Sequence, residues 1–231
     1  IDQVTASFKG VSRREIFYKN LIDSFLQQGY STTTSSLLMV PYDWRLDLRD
    51  EIIRLDGIIQ GALKRSATGK VDIIAHSMGG LLVKEYLARA TSTSFLDKVV
   101  LAGVPQLGAP KAFKALNFGD NFGLKLPLTI GSTTVIDNIM DSLNPKKAKE
   151  ITQNMPGIYE LLPSRRYVEV AGGYIRDFRN GAKTLNYDQT AAFMTSDPTD
   201  SRNPNLLEIA DTFHQAIDAK AVNAAKVYNV V

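Results

Sequence analysis

Apolar residues recur at helical spacing in three stretches of the chain and run as short strand-like blocks in two others. In "REIFYKNLIDSFLQQGY" (14–30), Phe17, Leu21 and Phe25 share a face with Ile22 and Leu26, and Gly29 offers a C-terminal stop. "LRDEIIRLDGIIQGALKRSA" (48–67) repeats Ile52, Leu55, Ile59 and Leu63 on one helix face, with Lys64 and Arg65 at the end that favours cations. "NLLEIADTFHQAIDAKAV" (205–222) does the same with Leu206, Ala210, Phe213 and Ile217. "KVDIIA" (70–75) and "DKVVLAGV" (97–104) have the composition of strands buried on both faces of a parallel sheet. "SSLLMVPYDW" (35–44) reads as a further short strand ended by Pro41. Helices alternating with such strands predict a mostly parallel, doubly wound α/β sheet.

Beyond about residue 110 the rhythm changes. "KAFKALNFGDNFGLKLPLTIG" (111–131) reads as a short helix followed by loop, with helical pieces near 134–142 and 145–154. "RYVEVAGGYIRDFRNGAKTLNY" (166–187) reads as a small β meander, because Asn180-Gly181 between alternating runs is a strong hairpin signal. "SDPTDSRNPN" (196–205) is loop by its proline and polar content. The pattern divides the chain into an α/β core over 1–155, an inserted cap over 156–226 and a returning core strand over 227–231.

The chemistry concentrates in "VDIIAHSMGGLLVKEYLARA" (71–90). A buried strand that turns sharply into a helix lifts the side chain at the turn above the sheet and aims free helix N–H groups at the same space. Ser77 sits at that turn, with small residues Ala75 and Gly79 on either side and Gly80 following. The pattern is A-x-S-x-G, one methyl group larger than G-x-S-x-G at its tightest point. Ser77 is thus the candidate nucleophile, with the Met78 backbone N–H as oxyanion donor. His76 is adjacent in sequence and its side chain points away from that of Ser77. It belongs beside the site, since a working base reaches the serine from a separate loop.

Composition narrows the rest. The chain of 231 residues is 44% hydrophobic with a net charge of +3, which suits one full-sized soluble core and gives nucleic acid no electrostatic footprint. There are no cysteines and only two histidines, His76 and His214, so neither a cysteine nucleophile nor a zinc cluster is available, and no cofactor is called for. No apolar run approaches the about 18–20 residues that span a bilayer. "IDQVTASFKGVSRRE" lacks the pattern of a signal peptide.

Three further phrases make the match specific: "PYDWR" (41–45), "AGVPQLGAPKAF" (102–113) and "NMPGIYELLPS" (154–164). Together with "AHSMGG" they resemble the lecithin:cholesterol acyltransferase family of α/β-hydrolases, including its lipase-like bacterial members, from about Phe17 to Tyr228. The resemblance implies an α/β-hydrolase fold with a cap, and a serine esterase, lipase or lipid O-acyltransferase working through an acyl-enzyme on Ser77. It implies a lipid or other acyl-ester substrate, contact with a membrane or lipid-particle surface, and an extracellular or cell-envelope location. The loop with Pro105, Gly108 and Pro110 would form a rigid wall at the C-terminal edge of the sheet, with Pro105 and Leu107 binding substrate. Trp44 either lines that pocket or packs in the core, and Asp43 with Arg45 forms a structural ion pair.

In that family the acid and the histidine follow the serine and come after the cap. The expectation is that both fall beyond Val231 and that a second oxyanion N–H precedes Ile1, leaving a fragment that is inactive alone. His214, with Asp211 and Asp218 near it in sequence, is expected to be a helix-surface histidine. Asp188, Asp197 and Asp200 are loop carboxylates with nothing to single one out. The alternative function is a non-catalytic α/β-hydrolase module that binds an apolar ligand or a protein partner.

Overall fold

The computed structural model describes residues 18–120, 145–179, 181–196, 202–219 and 226–231, and the backbone of four short strands at 4–8, 11–15, 126–130 and 133–137. In chain order, β1 (Val4–Phe8) and β2 (Val11–Glu15) pair antiparallel, followed by α1 (Lys19–Gln27). A 3-10 turn at Leu48–Glu51 leads into α2 (Ile52–Arg65). Then come β3 (Val71–His76), α3 (Gly79–Arg89), β4 (Leu96–Ala102) and α4 (Lys111–Phe118). β5 (Leu126–Ile130) and β6 (Thr133–Asp137) form an antiparallel pair. Three short helices follow: α5 (Pro145–Thr152), α6 (Pro156–Glu160) and α7 (Arg165–Ala171). The two-residue strands β7 (Arg176–Asp177) and β8 (Lys183–Thr184) precede α8 (Tyr187–Thr195), α9 (Pro204–Ala219) and β9 (Lys226–Val230).

The central sheet has the order β3-β4-β9 and is parallel throughout, as the two apolar strand blocks and the intervening helix require. β3 registers Ile73 on Val99 and His76 on Ala102, and β4 registers Ala102 on Val230. Against this sheet lie Leu55 and Ile59 of α2, Leu81, Leu82, Val83 and Leu87 of α3, and Phe213 and Ile217 of α9. A second cluster joins α4, α6, α8 and α9 through Ala112, Leu116, Ile158, Tyr159, Met194 and Ala210. The helix α9 therefore bridges both cores, with Phe213 and Ile217 in the first cluster and Ala210 in the second. At about 0.8 kcal/mol per buried CH₂, those apolar faces supply most of what holds α9 in place.

Several sequence expectations are corrected. The run 36–40 is not a strand: among the described residues it pairs with no neighbour, and Ser35 precedes it at φ +58°. Residues 134–137, expected in a helix, belong to β6 (Thr133–Asp137), and 126–130, expected in loop, form its partner β5. Thr133, Thr134, Val135 and Ile136 are β-branched, and strand pairing suits them better than a helix does. Residues 138–142 of that expected helix lie outside the described residues. The expected meander at 166–187 opens instead with a helix, because the Ser164 hydroxyl caps α7 by accepting from the Tyr167 N–H at 3.1 Å. Among the described residues there, β7 and β8 alone form sheet, with Gly181 at φ +90° between them. Among the described residues no helix is long and apolar enough to cross a membrane.

Candidate active site

β3 ends at His76 and α3 begins at Gly79, so Ser77 and Met78 alone make the turn between them. Ser77 adopts φ +53°, in the left-handed region that a side chain with a Cβ rarely enters. Such a conformation costs on the order of 1–3 kcal/mol and persists only where its surroundings impose it. Here the Ser77 N–H donates to Ala102 O of β4 at 2.9 Å, and Ser77 O accepts from the Gly80 N–H at 3.0 Å. Gly80 lets the helix start close to the next loop, since a Cβ there would stand 2.2 Å from Val104 Cγ2. The Ser77 side chain is left exposed. Among the described residues the Met78 N–H meets no backbone acceptor in the turn, as an oxyanion donor must not.

The Met78 side chain is buried, and it ties the elbow to two of the quoted phrases. A Cβ on Gly157 of α6 would stand 2.9 Å from Met78 Cε and 2.0 Å from Trp44 O, and the Gly157 N–H points to Arg45 O at 3.4 Å. "PYDWR" and "MPGIYE" thus meet behind Met78. Trp44 presents its side chain outward at 43% exposure. Asp43 accepts from Arg45 Nε at 2.8 Å and Nη2 at 2.6 Å, the ion pair the sequence suggests, and the guanidinium holds the Asp43 carboxyl at about 2.

His76 is exposed, and its Nδ1 shares a 2.9 Å hydrogen bond with the Tyr18 hydroxyl, the two rings meeting edge to face. This partner anchors the imidazole at the front of the elbow, beside Gly103. Nothing in the sequence marks Tyr18 for that role. Pro105 and Leu107 are half-buried in the loop that begins at Ala102. That loop is stitched to the stretch after α6 by Ala109 N–H to Leu161 O and Ser164 N–H to Leu107 O, both 2.8 Å.

The 3-10 turn beside "PYDWR" holds a buried carboxyl that the sequence does not single out. Glu160 is fully buried and accepts from the Leu48 N–H at 3.0 Å. Burial first, then the neighbouring Asp47 carboxylate, push it up to about 9, so it is protonated at neutral pH. Asp47 is itself paired bidentately with Arg49.

His214 corrects the expectation of a helix-surface histidine: it is 4% exposed. The helix α9 is packed on both flanks, against α3 and α6, so its polar-flanked face is covered as well as its apolar one. Both ring nitrogens lie buried beside the Glu160 and Leu162 backbone without a well-formed hydrogen bond, and burial lowers the imidazole below its ordinary value. His214 lines a small cavity with Tyr159, Leu162, Tyr174, Thr190 and Met194, whose walls include no residue of the elbow. Among the described residues no cluster of histidines and carboxylates could hold a metal ion.

A parallel sheet with a serine at a strained strand-to-helix turn places the chain in the α/β-hydrolase class of folds. More narrowly, the chain belongs to the family described as lecithin:cholesterol acyltransferase, whose sequence model matches residues 6–191. It is similar to phosphatidylcholine-sterol acyltransferase of Mus musculus, 32% identical over 117 residues, which is 48% of this chain and 26% of that protein. It is similar also to phospholipase A(1) LCAT3 of Arabidopsis thaliana, 34% identical over 97 residues, 40% of this chain and 22% of that one. The matched stretches thus span about a quarter of the curated relatives. Among solved structures, a chain in "The crystal structure of Tle4-Tli4 complex" is similar with a TM-score of 0.48 at 16% identity, over 80% of this chain and 42% of that chain.

Proposed function

We propose that this chain carries the nucleophile of a lipid acyl hydrolase or O-acyltransferase. Ser77 Oγ attacks the ester carbonyl carbon, and the Met78 N–H receives the negative charge on the carbonyl oxygen. Collapse breaks the ester C–O bond, with the serine hydroxyl proton passing to the departing oxygen, so that an alcohol leaves and an acyl-serine remains. Water or a second alcohol then takes the acyl group, which decides between hydrolysis and transfer. The observation that carries the reading is the +53° φ of Ser77, a strained backbone at a point where strand, helix and an exposed serine coincide. Family membership, with an acyltransferase and a phospholipase among the relatives, supports an acyl ester of a lipid as substrate. The loop with Pro105 and Leu107 and the exposed Trp44 are assigned to the acyl chain, and residues 156–226 to the cap.

Neither histidine of the chain meets Ser77. His76 is engaged by Tyr18, and His214 is enclosed between α9 and α6. With neither histidine at Ser77, slow ester turnover is expected, since the Met78 N–H and substrate binding without a base retain only a small part of the rate. The same observation supports a second reading, in which the fold binds an apolar ligand without reacting with it. Hydrolysis of p-nitrophenyl esters by the intact protein separates the two. Ser77→Ala is expected to lower turnover by several orders of magnitude. Equal rates for parent and variant would favour the binding module.

A further inference from the structure

Lys84 is an unusual residue to find inside a helix-sheet interface. It lies on α3 seven positions after Ser77, is only 8% exposed, and is surrounded by the apolar residues that pack α3 on the sheet. Its ammonium donates to the backbone carbonyl of Gln106 at 3.0 Å. Asp218 Oδ1 of α9 stands 3.8 Å away as its counter-charge, itself largely buried. A buried ammonium is a costly way to hold two helices together, and apolar side chains of the same size would do that better. What an apolar side chain cannot do is hold a carbonyl.

That carbonyl sits in the middle of the 102–110 loop. The Gln106 side-chain amide donates to Asn229 Oδ1 of β9 at 2.7 Å, and its N–H donates to Val104 O at 2.8 Å. Gly108 N–H closes on Pro105 O at 2.9 Å. The loop starts at Ala102, whose carbonyl fixes Ser77, and it carries Pro105 and Leu107. Lys84 thus connects the helix behind the nucleophile, the cap-side helix α9 and the loop in front.

We propose that Lys84 is a positioning residue: through the Gln106 carbonyl it sets the position of Pro105 and Leu107 against Ser77, and thereby the acyl-chain selectivity of the site. The proposal rests on the reading of Ser77 as nucleophile. Lys84 touches no substrate. Its effect is on where an acyl chain lies, so it acts on long chains and spares short ones.

The test uses the intact protein. Lys84→Met alone would strand the Asp218 carboxylate and risk unfolding, so the informative variant is Lys84→Met with Asp218→Asn, which removes both charges. Thermal melting first establishes that it folds. Two readouts follow. Hydrogen exchange at the Gln106 and Gly108 amides is expected to quicken about tenfold, whatever the enzyme does. The ratio of kcat/KM for a palmitoyl over a butyryl p-nitrophenyl ester is expected to fall about tenfold, mostly through KM, because a displacement of an ångström in a positioning element costs up to about 10²-fold. Unchanged exchange, or equal losses on both esters, would overturn the proposal. If Ser77→Ala leaves esterase activity intact, the nucleophile reading fails instead, and the exchange measurement still decides whether Lys84 holds the loop.

Discussion

At the scale of single residues, the chain spends conformational energy at Ser77, as it does at Ser35 and Ala182, and electrostatic energy in several places. The strain at Ser77 is local and visible in its φ of +53°. Glu160 is different, because its cost depends on pH. An unfolded glutamate titrates near 4.5, while burial lifts Glu160 to about 9 in the folded chain. Since the folded pKa is the higher one, the native state holds its proton more tightly. Its contribution to stability is whole below pH 4.5 and is lost progressively as pH rises toward 9. Glu160→Gln keeps an acceptor for the Leu48 N–H and cannot ionise. The variant is expected to match the parent near pH 4.5 and to exceed it by roughly 1–3 kcal/mol at pH 8, measured by urea denaturation at the two pH values. A gap that does not widen with pH would contradict this. His214 was placed on the helix surface by its neighbours Asp211 and Asp218, a local rule that had no access to α6 on the other side.

At the scale of elements, the elbow and its support were unequally legible. The apolar block ending at Ala75, the serine and the glycine pair announce a strand-turn-helix, and β3 and α3 form there. Two helix starts are written in the sequence as caps: Asn186 and Gln189 form a capping box at the start of α8, and Ser164 caps α7. The failure at 36–40 has another cause, since a strand needs a partner and a pattern cannot supply one. The packing of Gly157 on Trp44 O and Met78 Cε was also hidden, because a helical glycine looks like a mere propensity defect. It is a contact requirement. Gly157→Ala would push a methyl group into the Trp44 carbonyl, so the variant is expected to lose about 1–3 kcal/mol of stability despite its better helix propensity. Esterase activity should fall with it, as the elbow loses its backing. Thermal melting and an ester assay on the same preparation check this, and a Gly157→Ala variant as stable as the parent would contradict the packing described.

At the scale of the whole molecule, the α/β architecture and the family were readable from four short phrases, because each phrase lies where elements converge on one end of the sheet. "PYDWR" and "NMPGIYE" meet behind Met78, "AHSMGG" makes the turn, and "AGVPQLGAP" leaves the neighbouring strand at the carbonyl that fixes Ser77. The long-range bonds were unreadable, among them Tyr18 to His76, Lys84 to Gln106 and Glu160 to Leu48, since each joins residues that only the fold brings together. A nucleophilic role for Ser77 requires that its hydroxyl can be acylated. Fluorophosphonate treatment of the intact protein followed by peptide mass spectrometry tests that most directly. The prediction is one covalent adduct, on Ser77, lost in Ser77→Ala and slowed by a competing long-chain ester. An unmodified Ser77, or an adduct on another serine that keeps its rate when Ser77 is removed, would contradict it.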